Sequence, residues 1–230
     1  MSAAMMNFKD SVGHIPTKDL PGIHLGMPHI GLGTWHRDPQ GRPQKAPKGH
    51  FGHSTCGCRP HRYMTGGICQ FALDKGCNLF DTAKAYNTDH AVAAAVDLHC
   101  ISRTSVFITT KVDEEGSSQK QAREILLKSI QNAGGDEGYV DLLLIASHKQ
   151  GGLRGRMMMW IELEKLHQEG KAKRIGVSNY TEEWIMQMRE YATFWPPQVN
   201  QIVVSHPCLH QTLISLTSIG QPLVPSRGYS

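Results

Sequence analysis

Short apolar runs that end in polar residues alternate along the chain with segments whose apolar residues recur at helical spacing. The apolar runs are typical of buried strands, and the segments between them are long enough for helices. A turn signal at Pro21-Gly22 also predicts a small hairpin within residues 15–35. The other predicted strands cover residues 31–35, 78–81, 106–111, 139–145, 170–180 and 199–202, and the predicted helices cover residues 68–75, 89–98, 118–132, 157–170 and a segment that begins after Thr181.

The strand–helix–strand unit from Asn78 to Lys111 carries the strongest candidate chemistry. Its two strands are expected to be parallel, so their carboxyl ends lie side by side at one rim. Asp81 and Lys111 end these strands, and Tyr86 lies on the loop that follows the first one. The sequence therefore predicts that an acid, a phenol and an amine converge.

These three groups suit proton transfer to a carbonyl oxygen. A phenol with a pKa of about 10 is a poor proton donor at neutral pH, whereas a neighbouring ammonium favours the phenolate and lowers that pKa. We expect Lys111 to supply the ammonium and Asp81 to hold it charged and in place. This arrangement is typical of a general acid tuned for carbonyl chemistry.

The spacing resembles the aldo-keto reductase family, whose Asp-Thr-Ala-x-x-Tyr motif and later Thr-Lys pair match residues 81–86 and 110–111. The resemblance implies an α/β fold of the TIM type, a (β/α)8 barrel that opens with a hairpin and is incomplete, because its last strand–helix unit is missing. It also implies an oxidoreductase that uses NADP(H) to reduce a small aldehyde or ketone to an alcohol. Asp81, Tyr86 and Lys111 would be its catalytic residues, with Tyr86 as the general acid.

The same resemblance implies contacts to cofactor and substrate. The Gly-x-Gly-Thr-Trp strand end at residues 31–35 matches the family, and Trp35 would wall the substrate pocket. Taken alone, each polar residue at a strand end could merely satisfy backbone groups, but several occur in the family order. The implied cofactor contacts are Thr34, Ser178, Asn179, Gln201 and Tyr229.

Three features depart from the family pattern. Ala146 stands where the family has a histidine that donates to the substrate carbonyl, and His148 lies two residues later, about 6–7 Å further along a strand axis. Residues 36–67 are rich in Gly and Pro, which predicts an irregular insertion. After Ile219-Gly220 the sequence lacks the basic loop with which the family binds the cofactor's phosphates. These departures favour an alternative, a truncated or non-catalytic relative with lost or impaired cofactor binding.

Composition limits the possible number of domains, the kinds of partner and the cellular location. The chain has 230 residues and is 40% hydrophobic, which predicts one domain over residues 1–230. Its net charge of +4 is scattered rather than gathered in a basic stripe, so nucleic acid is not an expected partner. The sequence has no signal-peptide pattern at its start and no apolar run of about 18 residues, which predicts a cytoplasmic protein with no membrane partner.

Cysteine and histidine spacing gives a weaker signal. The six cysteines show no framework of paired spacings, which favours reduced thiols. A Cys-x-Cys pair is tighter than the usual zinc knuckle, and no second pair follows it. An irregular loop is therefore favoured over a metal site at His50, His53, Cys56, Cys58 and His61.

Overall fold

The computed structural model describes residues 17–20, 23–28, 30–35, 64–146 and 152–202. The described chain opens with the predicted hairpin, in which β1 (Thr17–Leu20) pairs antiparallel with β2 (Ile23–Pro28). His148, Tyr229 and the residues considered as zinc ligands lie outside the described residues, as does most of the predicted insertion. The predictions for those residues, and for one domain over the whole chain, stay predictions.

A second sheet contains six parallel strands, and its order follows the chain. Each strand pairs with the next one in sequence, as in the wall of a barrel. In the fourth and fifth strands of this sheet, at residues 142–145 and 175–178, every residue is buried, because the sheet is covered on both faces. The strands are β3 (Leu32–Gly33), β4 (Leu79–Asp81), β5 (Phe107–Val112), β6 (Leu142–Ile145), β7 (Ile175–Ser178) and β8 (Asn200–Gln201).

Helices connect the strands, and each of the first four helices packs on its neighbour in sequence. This succession of parallel strands and helices is a TIM-type α/β barrel, of which the described residues form an arc of six strands. No helix in the described ranges is long and apolar enough to cross a membrane. The helices are α1 (Met64–Asp74), α2 (Asp89–Leu98), α3 (Gln119–Gly134), α4 (Gly152–Gln168) and α5 (Glu182–Gln187).

Helix boundaries follow local capping signals where those signals are strong. The Ser118 side chain accepts a hydrogen bond from the Gln121 amide at the start of α3, and Thr181 caps α5 in the same way. Gly170 adopts φ 74° shortly after the end of α4, a conformation that glycine accommodates readily. These caps explain why α3 lies within two residues of its predicted limits.

Two helices begin earlier than predicted. α1 starts at Met64, so residues 64–67 are helical rather than irregular, and α4 starts at Gly152 instead of residue 157. Gly66 and Gly67 each disfavour a helix by about 1 kcal/mol relative to Ala, which led the sequence prediction to a later start. Packing of α1 on α2, with Cys69 fully buried, overrides that propensity.

One buried acid fixes the chain between α5 and β8. The Glu164 carboxylate on α4 is only 5% exposed, and its Oε1 accepts hydrogen bonds from Trp160 Nε1 and from the amides of Thr193 and Phe194 at 2.7, 2.8 and 2.7 Å. Gln198 then accepts from the Ile175 amide at 2.9 Å. These bonds hold the connection that delivers β8 to the sheet.

Candidate active site

The centre of the candidate site is an ion pair at the carboxyl ends of β4 and β5. Lys111 Nζ lies 2.5 Å from Asp81 Oδ1 and donates a second hydrogen bond of 3.0 Å to the Thr82 carbonyl. The lysine side chain is 7% exposed and the aspartate 22%. Burial lowers the pKa of Lys111, while the Asp81 carboxylate acts in the opposite direction. The ammonium is therefore held in place by partners that favour its charge.

Tyr86 completes the predicted group of three. It ends a short 3₁₀ turn, Lys84–Tyr86, directly after β4, and the Lys111 ammonium lies 5.2 Å from its ring centroid. The Trp35 ring stacks on the Tyr86 ring, with the two ring centroids 6.2 Å apart and an interplanar angle of 26°. The structure brings the acid, the phenol and the amine together, and the Trp35 ring lies beside the phenol.

The expected effect of Lys111 on the Tyr86 pKa is wrong. Burial raises the pKa of Tyr86, and the carboxylates of Asp81 and Asp113 raise it further. The physical reason is that Lys111 is paired with Asp81, so its positive charge does not outweigh desolvation and the two acids. Tyr86 consequently holds its proton across the neutral range.

A buried polar cluster, which sequence reasoning missed, lies beneath the ion pair. Asp89, the first residue of α2, accepts a hydrogen bond of 3.0 Å from Thr110, the neighbour of Lys111 in β5. The Thr88 hydroxyl lies 2.9 Å from that of Thr82, the neighbour of Asp81. Burial raises the pKa of Asp89, opposed by hydrogen bonds from Thr82 and Thr110. The cluster thus ties the start of α2 to both strand ends that carry the ion pair.

Thr34 belongs to the same buried cluster. Its hydroxyl donates to the Asp81 carbonyl at 3.1 Å and lies 2.7 Å from the Thr88 hydroxyl, and the residue is only 2% exposed. Its amide also donates to the Asp81 carbonyl at 2.9 Å. The described contacts show Thr34 fixing the end of β4, and its predicted contact with a cofactor stays a prediction.

The ends of β7 and β8 bring two side-chain amides and a hydroxyl to the same rim. Ser178 is buried and donates to the Gln201 carbonyl at 3.0 Å, while Asn179 Nδ2 donates to Ser178 Oγ at 3.3 Å. Asn179 adopts φ 58°, which turns the chain immediately after β7. Gln201 Nε2 donates to Asp81 Oδ2 at 2.7 Å. Of the predicted carboxamide-binding residues, Gln201 therefore contacts the ion pair itself.

Ala146 follows β6 at the same rim, and its amide donates to the Val112 carbonyl at 2.8 Å. Its methyl side chain has no group that could donate to a carbonyl oxygen. The structure thus places an apolar side chain at the position where the resemblance led us to expect a histidine.

The opposite end of the strands has a different character. A cavity of about 240 Å³ lies there, between the hairpin and the starts of the strands, and Asn78, Thr104 and Lys173 are among its lining residues. Close to it, Arg103 and Asp141 form a buried ion pair of 2.7 Å. This cavity is remote from the Asp81–Lys111 pair, and we assign that end of the barrel a structural role. Nowhere in the described residues do three or more His, Cys, Asp or Glu side chains gather as a metal ion would require.

The six described strands and their connecting helices define a TIM-type α/β barrel, and comparison with known proteins gives the family. The model of the aldo/keto reductase family matches residues 65–212, and the chain belongs to this family. An aldo-keto reductase of Mycobacterium marinum is 38% identical over 141 residues, which cover 61% of this chain and 48% of that protein. One from Mycolicibacterium paratuberculosis is 36% identical over 148 residues, covering 64% and 50%.

Solved structures agree with the fold. MGS-M4, an aldo-keto reductase enzyme from a Medee basin deep-sea metagenome library, is 32% identical with a TM-score of 0.54, covering 61% of this chain and 50% of its own. An aldo/keto reductase from Brucella melitensis gives a TM-score of 0.65 over 83% of this chain and 63% of its own, but at 24% identity it supports the fold alone. The chain spans about half the length of the curated relatives it matches.

Proposed function

We propose that the protein reduces a small aldehyde or ketone to an alcohol, with NADPH as the reductant and Tyr86 as the proton donor. The observation that carries this proposal is the meeting of Asp81, Lys111 and Tyr86 at one rim of the barrel. Family membership supports it, and so does the aromatic wall that Trp35 places beside the phenol. We further propose that the protein acts in the cytoplasm as a single barrel domain.

The residues at the ends of β7 and β8 fit the carboxamide of a nicotinamide. A primary carboxamide needs both donors and acceptors in one region, and side-chain amides supply both. Asn179 and Gln201 provide such amides, and the buried Ser178 hydroxyl fixes the backbone between them. We assign the carboxamide contact to these three residues. The bound cofactor would supply the hydride that reduces the carbonyl carbon.

Tyr86 supplies the proton at the carbonyl oxygen. Because burial and two carboxylates raise its pKa, the phenol does not ionise before the substrate oxygen becomes strongly basic. As negative charge develops on that oxygen, the Tyr86 O–H bond breaks and the new O–H bond of the alcohol forms. Lys111, 5.2 Å from the ring centroid, stabilises the resulting phenolate until solvent returns a proton.

A specific observation favours a second candidate, a non-catalytic member of the family that only binds the cofactor. The Ala146 methyl group cannot donate a hydrogen bond to a substrate carbonyl, so this position of the described rim lacks the group expected to orient the substrate. Removing one donor of this kind from a reactive site typically costs about 10²–10³ in kcat. Binding without turnover is the outcome that would distinguish this candidate.

NADPH titration of the purified chain, followed by quenching of its four tryptophans, tests both candidates. The reductase proposal expects saturable micromolar binding, turnover of a carbonyl substrate, and loss of turnover but not of binding in Tyr86→Phe. Proton donation of this kind supplies about 10²–10⁴ in rate. Tyr191→Phe, which removes a half-buried phenol of the helical layer, is the matched control. A folded chain that binds no NADPH at millimolar concentration would refute the proposal, and binding without turnover would favour the second candidate.

A further inference from the structure

The Asp81 carboxylate uses its two oxygens for two different partners. Oδ1 accepts from Lys111 Nζ at 2.5 Å, and Oδ2 accepts from Gln201 Nε2 at 2.7 Å. A carboxylate that receives a donor on each oxygen has its plane fixed, since rotation about the Cβ–Cγ bond would break both bonds. The orientation of Asp81 toward Lys111 therefore depends on Gln201.

This contact is not a by-product of strand pairing. Asp81 ends β4 and Gln201 ends β8, and three strands lie between them in the sheet. The two residues are 120 positions apart in sequence, and only the curvature of the barrel brings their side chains together. The backbone of Gln201 is anchored separately, because its carbonyl accepts from Ser178 Oγ at 3.0 Å and from the Asn179 amide at 2.9 Å. The amide is thus presented to Asp81 by a fixed strand end.

We propose that Gln201 is a positioning residue for the proton donor, acting on Tyr86 through Asp81 and Lys111, in addition to its assigned contact with the cofactor. Its N–H groups place partial positive charge against the carboxylate that faces the Tyr86 and Lys111 side chains. This inference deepens the proposed function and rests on it for the cofactor contact and for the role of Tyr86 as proton donor. The contact with Asp81 involves only residues of the chain itself.

The dual role follows from the chemistry of a primary amide. Nε2 donates to Asp81, and the amide oxygen is an acceptor of a kind that a carboxamide N–H can use. One side chain can therefore contact the cofactor and the acid of the ion pair together. Cofactor binding and the alignment of the proton donor would then be linked through a single residue.

The first test removes the amide and follows Tyr86 in the ligand-free chain. Tyrosine labelled with ¹³C at Cζ reports ring ionisation by NMR, and Tyr86→Phe assigns the signal. In Gln201→Leu the Tyr86 titration should move to higher pH, because the amide dipole no longer offsets Asp81. The other charged groups near the phenol, Lys111 and Asp113, are unchanged.

Gln198→Leu is the matched control. It makes the same substitution three residues earlier, and it also breaks one hydrogen bond, that from the Ile175 amide. A purely structural role for Gln201 would give the two variants equal loss of thermal stability and an unmoved Tyr86 titration. That result would overturn the proposal.

A second variant keeps the proposal testable if Gln201→Leu unfolds. Gln201→Glu places a second carboxyl group against Asp81, and two carboxyl groups at that distance share a proton. Carboxyl ¹³C NMR should show one group titrating well above the ordinary range, with a matching pH-dependent shift of the Tyr86 signal. Two carboxyl groups that both titrate in the ordinary range would show that the contact does not persist in solution and would refute the proposal.

These measurements are separable from the proposed function. If the wild-type chain binds no NADPH, the reductase proposal fails while the ligand-free Tyr86 titration still reports on Gln201. If NADPH binds and Gln201→Leu weakens binding without moving the ligand-free titration, Gln201 acts on the cofactor alone. That second pattern would overturn the positioning role and leave the reductase proposal intact.

Discussion

The ring of Trp35 stacks on the ring of Tyr86, with centroids 6.2 Å apart and planes inclined by 26°. Trp35 follows β3 and is nearly half exposed, whereas Tyr86 follows β4 and carries the proposed acidic proton. The indole therefore shields one side of the phenol from water. This contact makes the aromatic wall of the site part of the mechanism that sets the phenol's ionisation.

Replacing Trp35 should lower the pKa of Tyr86. Burial is the largest cause of the raised Tyr86 pKa, so Trp35→Ala, which admits water to the ring, should move the titration toward the ordinary value. Loss of the stacking itself should cost about 0.5–1.5 kcal/mol of stability. Ultraviolet difference titration of wild type and variant measures the shift. Phe71→Ala, which removes an exposed aromatic from α1, is the control and should leave the Tyr86 midpoint in place.

Breaking the Asp81–Lys111 pair should destabilise the protein in a pH-dependent way. Asp81→Asn leaves a buried ammonium without its carboxylate, and we expect a loss of roughly 2–4 kcal/mol in the free energy of unfolding at neutral pH. The pKa of Lys111 is already lowered by burial and should fall further without Asp81. A base with a depressed folded-state pKa releases its proton on folding, so stability should recover as pH rises toward the ordinary lysine value.

Urea unfolding from neutral to alkaline pH measures this recovery. The double variant Asp81→Asn/Lys111→Met is the control, because it removes both charges and should lose less stability than Asp81→Asn alone. A single variant whose loss is the same at every pH would show that burial of the ammonium is not the source of the effect.

Asp89 should make the protein less stable as pH rises from the acid range. Its folded-state pKa is raised by burial, so the folded chain binds more protons than the unfolded chain between the two pKa values. Stability from this group is thus complete below the unfolded pKa of about 3.9 and is lost as pH rises through the folded pKa. Asp89→Asn removes this dependence while it can still accept a hydrogen bond from Thr110.

Chemical unfolding of wild type and Asp89→Asn at several pH values tests that sign. As pH rises, the free energy of unfolding of Asp89→Asn should increase relative to that of wild type. The increase should be larger than for Asp97→Asn, since Asp97 is exposed on the same helix. An increase in the relative stability of Asp89→Asn as pH falls would contradict the raised folded-state pKa of Asp89. Because Asp89 also contributes to the field at Lys111, the variant should lower the Lys111 pKa as well.

The Arg103–Asp141 ion pair, at the other end of the strands, should contribute to stability without affecting the ionisation of Tyr86. Arg103 is 6% exposed, bonds Asp141 at 2.7 Å and donates to the Val106 carbonyl at 2.7 Å. Arg103→Met leaves Asp141 buried without this partner, although Lys173 remains 3.3 Å away. We expect a loss of roughly 2–4 kcal/mol of stability with the Tyr86 titration unchanged. Thermal unfolding and the same NMR titration measure both, and a shifted titration would mean that the two ends of the barrel are coupled.

Local signals account for most of what the sequence predicted correctly. α3 was predicted within two residues because Ser118 caps it and Gly135 lies just beyond its last residue, both readable from neighbouring residues. The meeting of Asp81 and Lys111 was predictable because parallel strands bring their carboxyl ends to one rim. Where propensity was weak, as at Gly66-Gly67, packing decided the boundary and the prediction began too late.

Other features of the site depend on contacts that no local pattern encodes. The Gln201–Asp81 bond joins residues 120 positions apart, and the raised pKa of Tyr86 depends on how deeply the fold buries it. The position of Asp89 at a helix start could have been predicted from the sequence, since threonine and acidic residues are common at the first positions of helices. Its partner Thr110 was readable only as a polar residue in an apolar strand, and such a residue requires a hydrogen-bond partner when buried.

The chain between α5 and β8 is held by one oxygen atom of Glu164, which receives the amides of both Thr193 and Phe194. Only a few residues separate this anchor from Gln201. An inserted or deleted residue there would therefore shift the register of β8. A slip of one position in a strand turns each side chain to the opposite face, which would point the Gln201 amide away from Asp81. The outer helix α4 thus sets the register of the inner strand β8. The connection between α5 and β8 should therefore tolerate insertions and deletions poorly.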